Sequence, residues 1–293
     1  MSIRNIERLY TQELFELLKV IGKKDVDFIG INISEKGDFE FKIYPEPETN
    51  LKSITDESNL WKFLSKNKLV RSKCYAYSCL GKRVYIALKN RNNKNMFQFY
   101  QALEKEYPYI CQSAEEIRVM SLMKVSRNLN YRYASLHMVG IKRLFVRDSV
   151  VSIEWFTREM PDPNRPEYKY KYNDSYYLKY LKSLNILPVS LLCDCVNVFF
   201  MNPLKYGKLH VWLVAIDYYA DGRKKYKLYL KGEEKIVVAE ILEVFCKISP
   251  NLQSEIGQIY NFIYKHEELN LYGFSIGLDT NNNYSFNFYL IED

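Results

Sequence analysis

Glycine and proline are scarce in this sequence of 293 residues, with 11 and 9 copies. Hydrophobic residues make up 47% and charged residues 26% of the chain, which is close to the globular average and excludes a disordered protein. A chain of this length is able to bury a large core, either as two domains or as one closed architecture.

The sequence also lacks the strings that mark common catalytic and cofactor sites. We find no G-x-G-x-x-G, G-x-x-x-x-G-K-[ST] or H-E-x-x-H. The three histidines (137, 210 and 266) lie far apart, the six cysteines form no C-x-x-C pair, and no two aspartates are adjacent. These absences predict no metal-binding residues and argue against a phosphate site built on paired aspartates and Mg²⁺.

No segment has the pattern of a targeting signal or a membrane span. Charged residues are spread through 2–22, where a signal peptide would be apolar. The most apolar stretch, 186–204, is interrupted by Pro188, Asp194 and Asn197, which favours a buried helix. Cysteines without a disulfide or zinc pattern are typical of a reducing compartment. We therefore expect a cytoplasmic protein with no membrane partner.

Aromatic residues are abundant, with 26 Tyr, 16 Phe and 3 Trp, and many fall in β-rich runs. Five segments each have a β-rich run, a polar turn and a second β-rich run, which predicts hairpins at 28–45, 73–89, 137–158, 209–231 and 271–292. Helical spacing of apolar residues lies between them, at 3–22, 57–68, 94–106, 114–128, 174–184, 188–201, 233–248 and 252–267. The unit helix–hairpin–helix thus recurs five times, which predicts one closed array.

The two faces of the predicted strands differ sharply, because side chains alternate across a strand. In the second strand of each hairpin, the residues that point to one face are apolar, as in Phe39, Phe41 and Ile43. The other parity carries mainly tyrosines, bases and acids: Glu40, Lys42, Tyr44, Arg83, Tyr85, Lys89, Glu154, Arg158, Lys225, Lys227, Tyr229, Lys231, Ser285, Asn287 and Tyr289. If helices cover the apolar face, the polar face lines an interior.

In four of the hairpins, the first strand has a small residue at the same position: Gly30, Gly140, Ala215 and Gly277. Two positions later each of these strands has a polar residue: Asn32, Lys142, Asp217 and Asp279. We expect the small residues to leave room in a wide, water-filled lumen. A one-layer antiparallel sheet with one solvated face would alternate in the same way. The fivefold recurrence and the near absence of proline in the strands favour closure. The predicted fold is α+β: a ten-stranded antiparallel β-barrel with a polar lumen and helices outside, forming one domain over 1–293.

These hairpins resemble the ABBA-type aromatic prenyltransferases, the soluble prenyltransferase-barrel family of five repeated units round a ten-stranded barrel. The resemblance is carried by the first-strand ends (30–32, 140–142, 215–217 and 277–279) and by the Lys-x-Tyr second strands (42–44 and 227–229). The resemblance covers nearly the whole chain, and the motifs that carry it are short. The size and the compact first hairpin are most similar to the cyanobactin-like peptide prenyltransferases and the small bacterial aromatic ones.

The resemblance implies transfer of an isoprenyl group from a diphosphate donor, dimethylallyl or geranyl, to an electron-rich aromatic small molecule or peptide. The family lacks an aspartate-rich metal motif, as does this chain. Some members use Mg²⁺ and others do not, so Mg²⁺ dependence stays open. By analogy, diphosphate would be bound by Lys42, Arg83, Lys142, Arg158 and Lys227. The carbocation would be shielded by Tyr44, Tyr85, Tyr229 and Tyr289. The candidate bases are Glu40, Glu154, Asp217 and Asp279.

Two other functions fit the same residues. A net charge of +7 with abundant tyrosine is typical of some nucleic-acid-binding proteins, although bases spread through five hairpins among acids argue against a single exposed patch. A barrel that binds a ligand or a peptide without chemistry is the other alternative. Each residue named above is also consistent with a solvated or ion-paired strand position.

Overall fold

A computed structural model describes most of the chain from residue 26 onwards, namely residues 26–45, 63, 66–68, 70–78, 83–90, 96–106, 108, 132–144, 150–161, 174–232, 236–267 and 269–292. The predicted helices at 3–22 and 114–128, and most of the one at 57–68, lie outside these residues.

Ten strands pair antiparallel in one sheet. They are β1 (Val26–Ser34), β2 (Phe39–Pro45), β3 (Val70–Ser78), β4 (Arg83–Asn90), β5 (Arg132–Leu144), β6 (Val150–Pro161), β7 (Leu209–Tyr219), β8 (Lys224–Gly232), β9 (Leu269–Asp279) and β10 (Tyr284–Glu292). Each strand pairs with the next, and β1 also pairs with β10, so that the sheet closes on itself. The shortest seam joins β2 to β3 through Lys42 with Ser78 and Ile43 with Tyr77.

The described helices lie between the hairpins. They are α1 (Met96–Glu106), α2 (Asp174–Ser183), α3 (Leu187–Met201), α4 (Pro203–Tyr206), α5 (Val238–Ile248) and α6 (Gln253–Lys265), with a 3₁₀ turn at Pro250–Leu252. Pro188 occupies the first turn of α3, where its missing N–H leaves no helical hydrogen bond unmade. No helix in the described ranges is long and apolar enough to cross a membrane.

The main hydrophobic core lies between the sheet and the helices. Alternate strand residues such as Ile276 and Phe288 are fully buried there against helix residues such as Phe199 and Phe245. The ring of Phe245 stacks on that of Phe286 with centroids 4.3 Å apart. The apolar parity seen in the sequence therefore faces the helices, as predicted, and the polar parity faces the interior of the curled sheet.

Three hairpins turn through residues with positive φ, where glycine has no Cβ to clash with the backbone and asparagine is tolerated better than most other residues. Gly37 and Gly222 both have φ of 85°, and Asn282 has φ of 61°. The predicted turn at 36–38 is thus confirmed. The prediction of an antiparallel sheet that curls around a polar interior, with helices outside, is also confirmed. Five complete helix–hairpin–helix units stay a prediction, because several of their helices fall outside the described residues.

Candidate functional site

Two carboxylates stand directly opposite each other on the inner face. Glu154 of β6 is in register with Asp217 of β7, and the two residues are 2% and 0% exposed. Like charges at directly opposed strand positions repel each other, and burial strengthens the repulsion because water no longer screens it. Such a pair is stable only if cations lie within reach.

Two lysines supply those cations, each by reaching across one strand. Lys227 of β8 passes over β7, and its Nζ lies 2.7 Å from Glu154 Oε1 and 3.3 Å from Asp217 Oδ2. Lys142 of β5 passes over β6, with its Nζ 3.5 Å from Glu154 Oε2 and in contact with Asp217 Oδ2. Because each lysine bridges both carboxylates, the four charges form a single ion cluster.

Burial and these opposite charges set the protonation states of the ion cluster. Burial alone would raise the pKa of Glu154, but Lys227 and Lys142 outweigh it and hold that pKa below the ordinary value. The same two lysines hold the pKa of Asp217 far below its usual range. Burial would lower the pKa of Lys142, yet Asp217 and Glu154 keep it well above normal. Both acids are therefore ionised at neutral pH.

The four predicted shielding tyrosines lie next to the ion cluster. Tyr229 donates a hydrogen bond of 2.7 Å from its hydroxyl to Glu154 Oε1. Its ring lies 6.1 Å from that of Tyr289, which lies 5.9 Å from Tyr44. Burial raises the pKa of these three phenols and of Tyr85 well above 10, so they stay neutral and present uncharged π faces.

A second, smaller apolar cluster lies inside the sheet, beside the tyrosines. It consists of Phe156, Leu213, Ala215 and Tyr229, with Tyr85, Met138, Trp212 and Tyr289 packed against it. The ring of Phe156 is 5.6 Å from that of Tyr229. The inner face is thus charged on one side of Tyr229 and aromatic on the other.

The small-residue column gives space to side chains of the neighbouring strands. A Cβ at Gly140 would overlap the ring of Tyr85, and one at Gly277 would lie 3.3 Å from Lys225 Cδ. A Cβ at Gly30 would lie 3.0 Å from the ring of Tyr44. The expectation that these residues leave an open lumen is therefore wrong at these positions, because long tyrosyl and lysyl side chains lie across them.

Lys42 belongs to a looser polar group on the opposite wall. Its Nζ is 3.6 Å from Glu40 Oε2 and donates to Asn287 Oδ1 at 3.4 Å. The Nδ2 of Asn287 in turn donates to Ser275 Oγ at 3.1 Å. Burial lowers the pKa of Lys42, and Lys142 and Lys227 add to this effect, whereas Glu40 opposes it. Neither contact of Lys42 is short, so its amine is more available to an anion than those of the ion cluster.

Asp279 does not join the ion cluster. Its Oδ1 accepts hydrogen bonds from the backbone N–H groups of Asn281 and Asn283 at 2.8 and 2.9 Å, and its Oδ2 pairs with Lys36. The two backbone contacts close the turn between β9 and β10, as aspartate at a turn commonly does, and the ion pair joins this turn to the one between β1 and β2. The structure therefore places this predicted base in a turn-stabilising position.

Two predicted residues remain, and the inner face also holds two that were not predicted. The side chains of Arg83 and Arg158 lie outside the described part of the structure, although their backbones belong to β4 and β6. Two residues of the inner face were not predicted as site residues: Lys225, which is on the predicted polar parity, and Phe156, which is the apolar residue between Glu154 and Arg158 on that parity.

No three His, Cys, Asp or Glu side chains within the described ranges come together as a metal site would require. The two closest inner carboxylates, Glu154 and Asp217, are already engaged by lysines. Because the charge of each acid is already balanced by lysines, the pair is poorly suited to hold Mg²⁺, which prefers carboxylates whose charge is free.

Comparison with solved structures finds two similar proteins. AnaPT from Neosartorya fischeri has a TM-score of 0.56 at 10% sequence identity, over 91% of this chain and 78% of its own. The NotF prenyltransferase has a TM-score of 0.56 at 8% identity, over 91% of this chain and 80% of its own. Both are ABBA-type aromatic prenyltransferases, so the resemblance seen in the sequence is confirmed at the level of the fold. No family model and no curated protein matches the sequence.

Proposed function

We propose that this protein transfers an isoprenyl group from an isoprenyl diphosphate to an electron-rich aromatic acceptor inside the barrel. The observation that carries the proposal is the division of the inner face into a lysine-rich side and an aromatic side that meet at Tyr229. A donor with an anionic head and an apolar chain matches that division, because fixed cations bind phosphate oxygens and aromatic rings bind the chain. The shared fold with two prenyltransferases supports it.

In the proposed reaction the C–O bond of the donor breaks, and its electron pair leaves with the diphosphate. Fixed positive charge near the departing oxygens lowers the barrier to this step. Lys42 is the best placed of the predicted lysines, because Lys142 and Lys227 are engaged by carboxylates. The rings of Tyr44, Tyr229 and Tyr289 would face the allylic cation and shield it from water.

The acceptor ring then forms the new C–C or heteroatom bond and loses a proton. Glu154 is the proposed base, because its pKa is held low and it is therefore ionised at neutral pH. Lys227 and Tyr229 fix its Oε1, which leaves Oε2 with only the longer contact to Lys142 at 3.5 Å. Asp217 accepts contacts from the same two lysines and would hold them in place.

The test is product formation. Purified protein is incubated with dimethylallyl or geranyl diphosphate and a panel of tryptophan, tyrosine and aromatic peptides, and products are detected by mass spectrometry. We expect an acceptor that gains one isoprenyl group in place of a hydrogen. Lys42→Met should reduce turnover at least tenfold, whereas the surface control Lys205→Met should not, with folding checked by circular dichroism. Absence of product from every pair, together with no binding of either diphosphate, would refute the proposal.

A further inference from the structure

Lys225 is an interior cation that has no anionic partner in the part of the chain that the structure describes. It lies on β8, and the strand register places it opposite Asp217 on β7 and Asp279 on β9. Asp217 is held by the ion cluster, and Asp279 by Lys36 and its own turn. Among the residues that the structure describes, the amine of Lys225 forms no hydrogen bond or ion pair.

The charges around Lys225 are mostly positive. Lys227 is two residues along the same strand, and the charges of Lys142 on β5 and Lys42 on β2 also act on Lys225. Asp217 is the acid that opposes the effect of these lysines on the pKa of Lys225. Burial raises the pKa of Tyr219 on β7, so its phenol stays neutral. Burial and the three neighbouring lysines together lower the pKa of Lys225 to about 7.

Glycine packing directs the Lys225 side chain along the inner face. A Cβ at Gly277 would lie 3.3 Å from both Lys225 Cδ and Lys227 Cγ, so the stems of the two lysines lie side by side on that glycine. Lys224, the preceding residue, points to the outer face, where its Nζ is 5.6 Å from the centroid of the Tyr218 ring. The two neighbouring lysines of one strand therefore differ in environment.

Resting on the function proposed above, we infer that Lys225 takes up a proton when the diphosphate of the donor binds beside it. A bound anion supplies the missing opposite charge, which stabilises the protonated amine. The proton goes from solvent to Nζ, and no covalent bond changes. The same linkage requires that raising the pH above about 7 weakens diphosphate binding, by up to about tenfold per unit until the pKa of the bound form is reached.

Calorimetric titration with inorganic pyrophosphate at pH 8 tests the inference. Repeating the titration in buffers of different ionisation enthalpy gives the number of protons taken up on binding. Wild type is expected to take up close to one proton more than Lys225→Met. Pyrophosphate itself exchanges protons on binding, but this contribution is the same for both proteins and cancels in the difference between them. Lys224→Met is the matched control and should behave as wild type, and at pH 5.5 the difference should vanish because Lys225 is already charged.

Lys225→Arg keeps the charge but cannot release a proton, so it provides a second test if the methionine variant fails to fold. We expect it to bind pyrophosphate without the additional uptake. Equal uptake by wild type and either Lys225 variant would overturn this inference and leave the proposed function standing. If wild type binds neither pyrophosphate nor geranyl diphosphate, both are overturned.

Discussion

The ion cluster makes a quantitative prediction for Glu154→Gln. The substitution keeps the size of the side chain and an oxygen that can accept from Tyr229, but it removes a charge that contacts two lysines. Lys142 and Lys227 then share Asp217 alone, in a site where Glu154 is 2% exposed. Breaking a buried ion pair by removing one partner costs about 3–5 kcal/mol. Since a domain is stable by about 5–15 kcal/mol in total, this loss is a large fraction of the free energy of unfolding.

Urea unfolding at pH 7.5, followed by circular dichroism and tryptophan fluorescence, measures this loss. The control is Glu243→Gln on α5, whose carboxylate pairs with Lys247 at 2.7 Å and Lys205 at 3.4 Å on the surface. Exposed pairs contribute little, because solvent screens them. We expect a large fall in the urea midpoint for Glu154→Gln and almost none for the control. Equal midpoints for the two variants would refute the buried ion cluster.

Three further predictions follow from the same contacts. Gly273→Ala should destabilise the protein by about 1–3 kcal/mol, since its Cβ would lie 2.6 Å from the Leu230 carbonyl oxygen, whereas Gly257→Ala in α6 meets nothing within 4 Å and should stabilise it by about 1 kcal/mol. Tyr229→Phe removes a hydrogen bond to a charged acceptor and should lower the free energy of unfolding by about 1.5–3 kcal/mol. Folding lowers the pKa values of Glu154 and Asp217. The two acids therefore contribute their full stabilisation above their pKa values in the unfolded chain, near 4. This stabilisation is lost as the pH falls from there through their pKa values in the folded protein. Urea titrations from pH 7 to pH 3 should therefore show a steeper loss for wild type than for the double variant Glu154→Gln/Asp217→Asn, and parallel curves would contradict this.

The sequence correctly predicted which strand residues face the helices and which face the interior. Alternation in β8 and β10 is a local property of the chain, so Leu228 and Phe288 could be assigned to the helix side and Lys227 and Tyr289 to the interior without any knowledge of pairing. The hairpin boundaries followed from the same alternation and from turn residues such as Gly37. Apolar periodicity likewise predicted five of the six described helices to within about five residues at each end, and only the short α4 was not predicted.

Contacts between strands could not be predicted in the same way. Glu154 meets Lys227 only because β6, β7 and β8 are neighbours with a particular register, and no local pattern encodes that register. The turn role of Asp279 could have been recognised, because three asparagines follow one residue later and such runs favour turns. Phe156 was overlooked because a single apolar residue on a polar parity carries little signal before its neighbours are known.

Photo-crosslinking with a benzophenone-bearing isoprenyl diphosphate, followed by peptide mapping, tests most directly whether the inner face of the barrel is the donor site. We expect the label on interior residues of β6, β8 and β10 around Phe156, Tyr229 and Tyr289, and we expect geranyl diphosphate to compete it away. Label confined to the helices, or label on the strands that geranyl diphosphate does not displace, would contradict the proposed transferase.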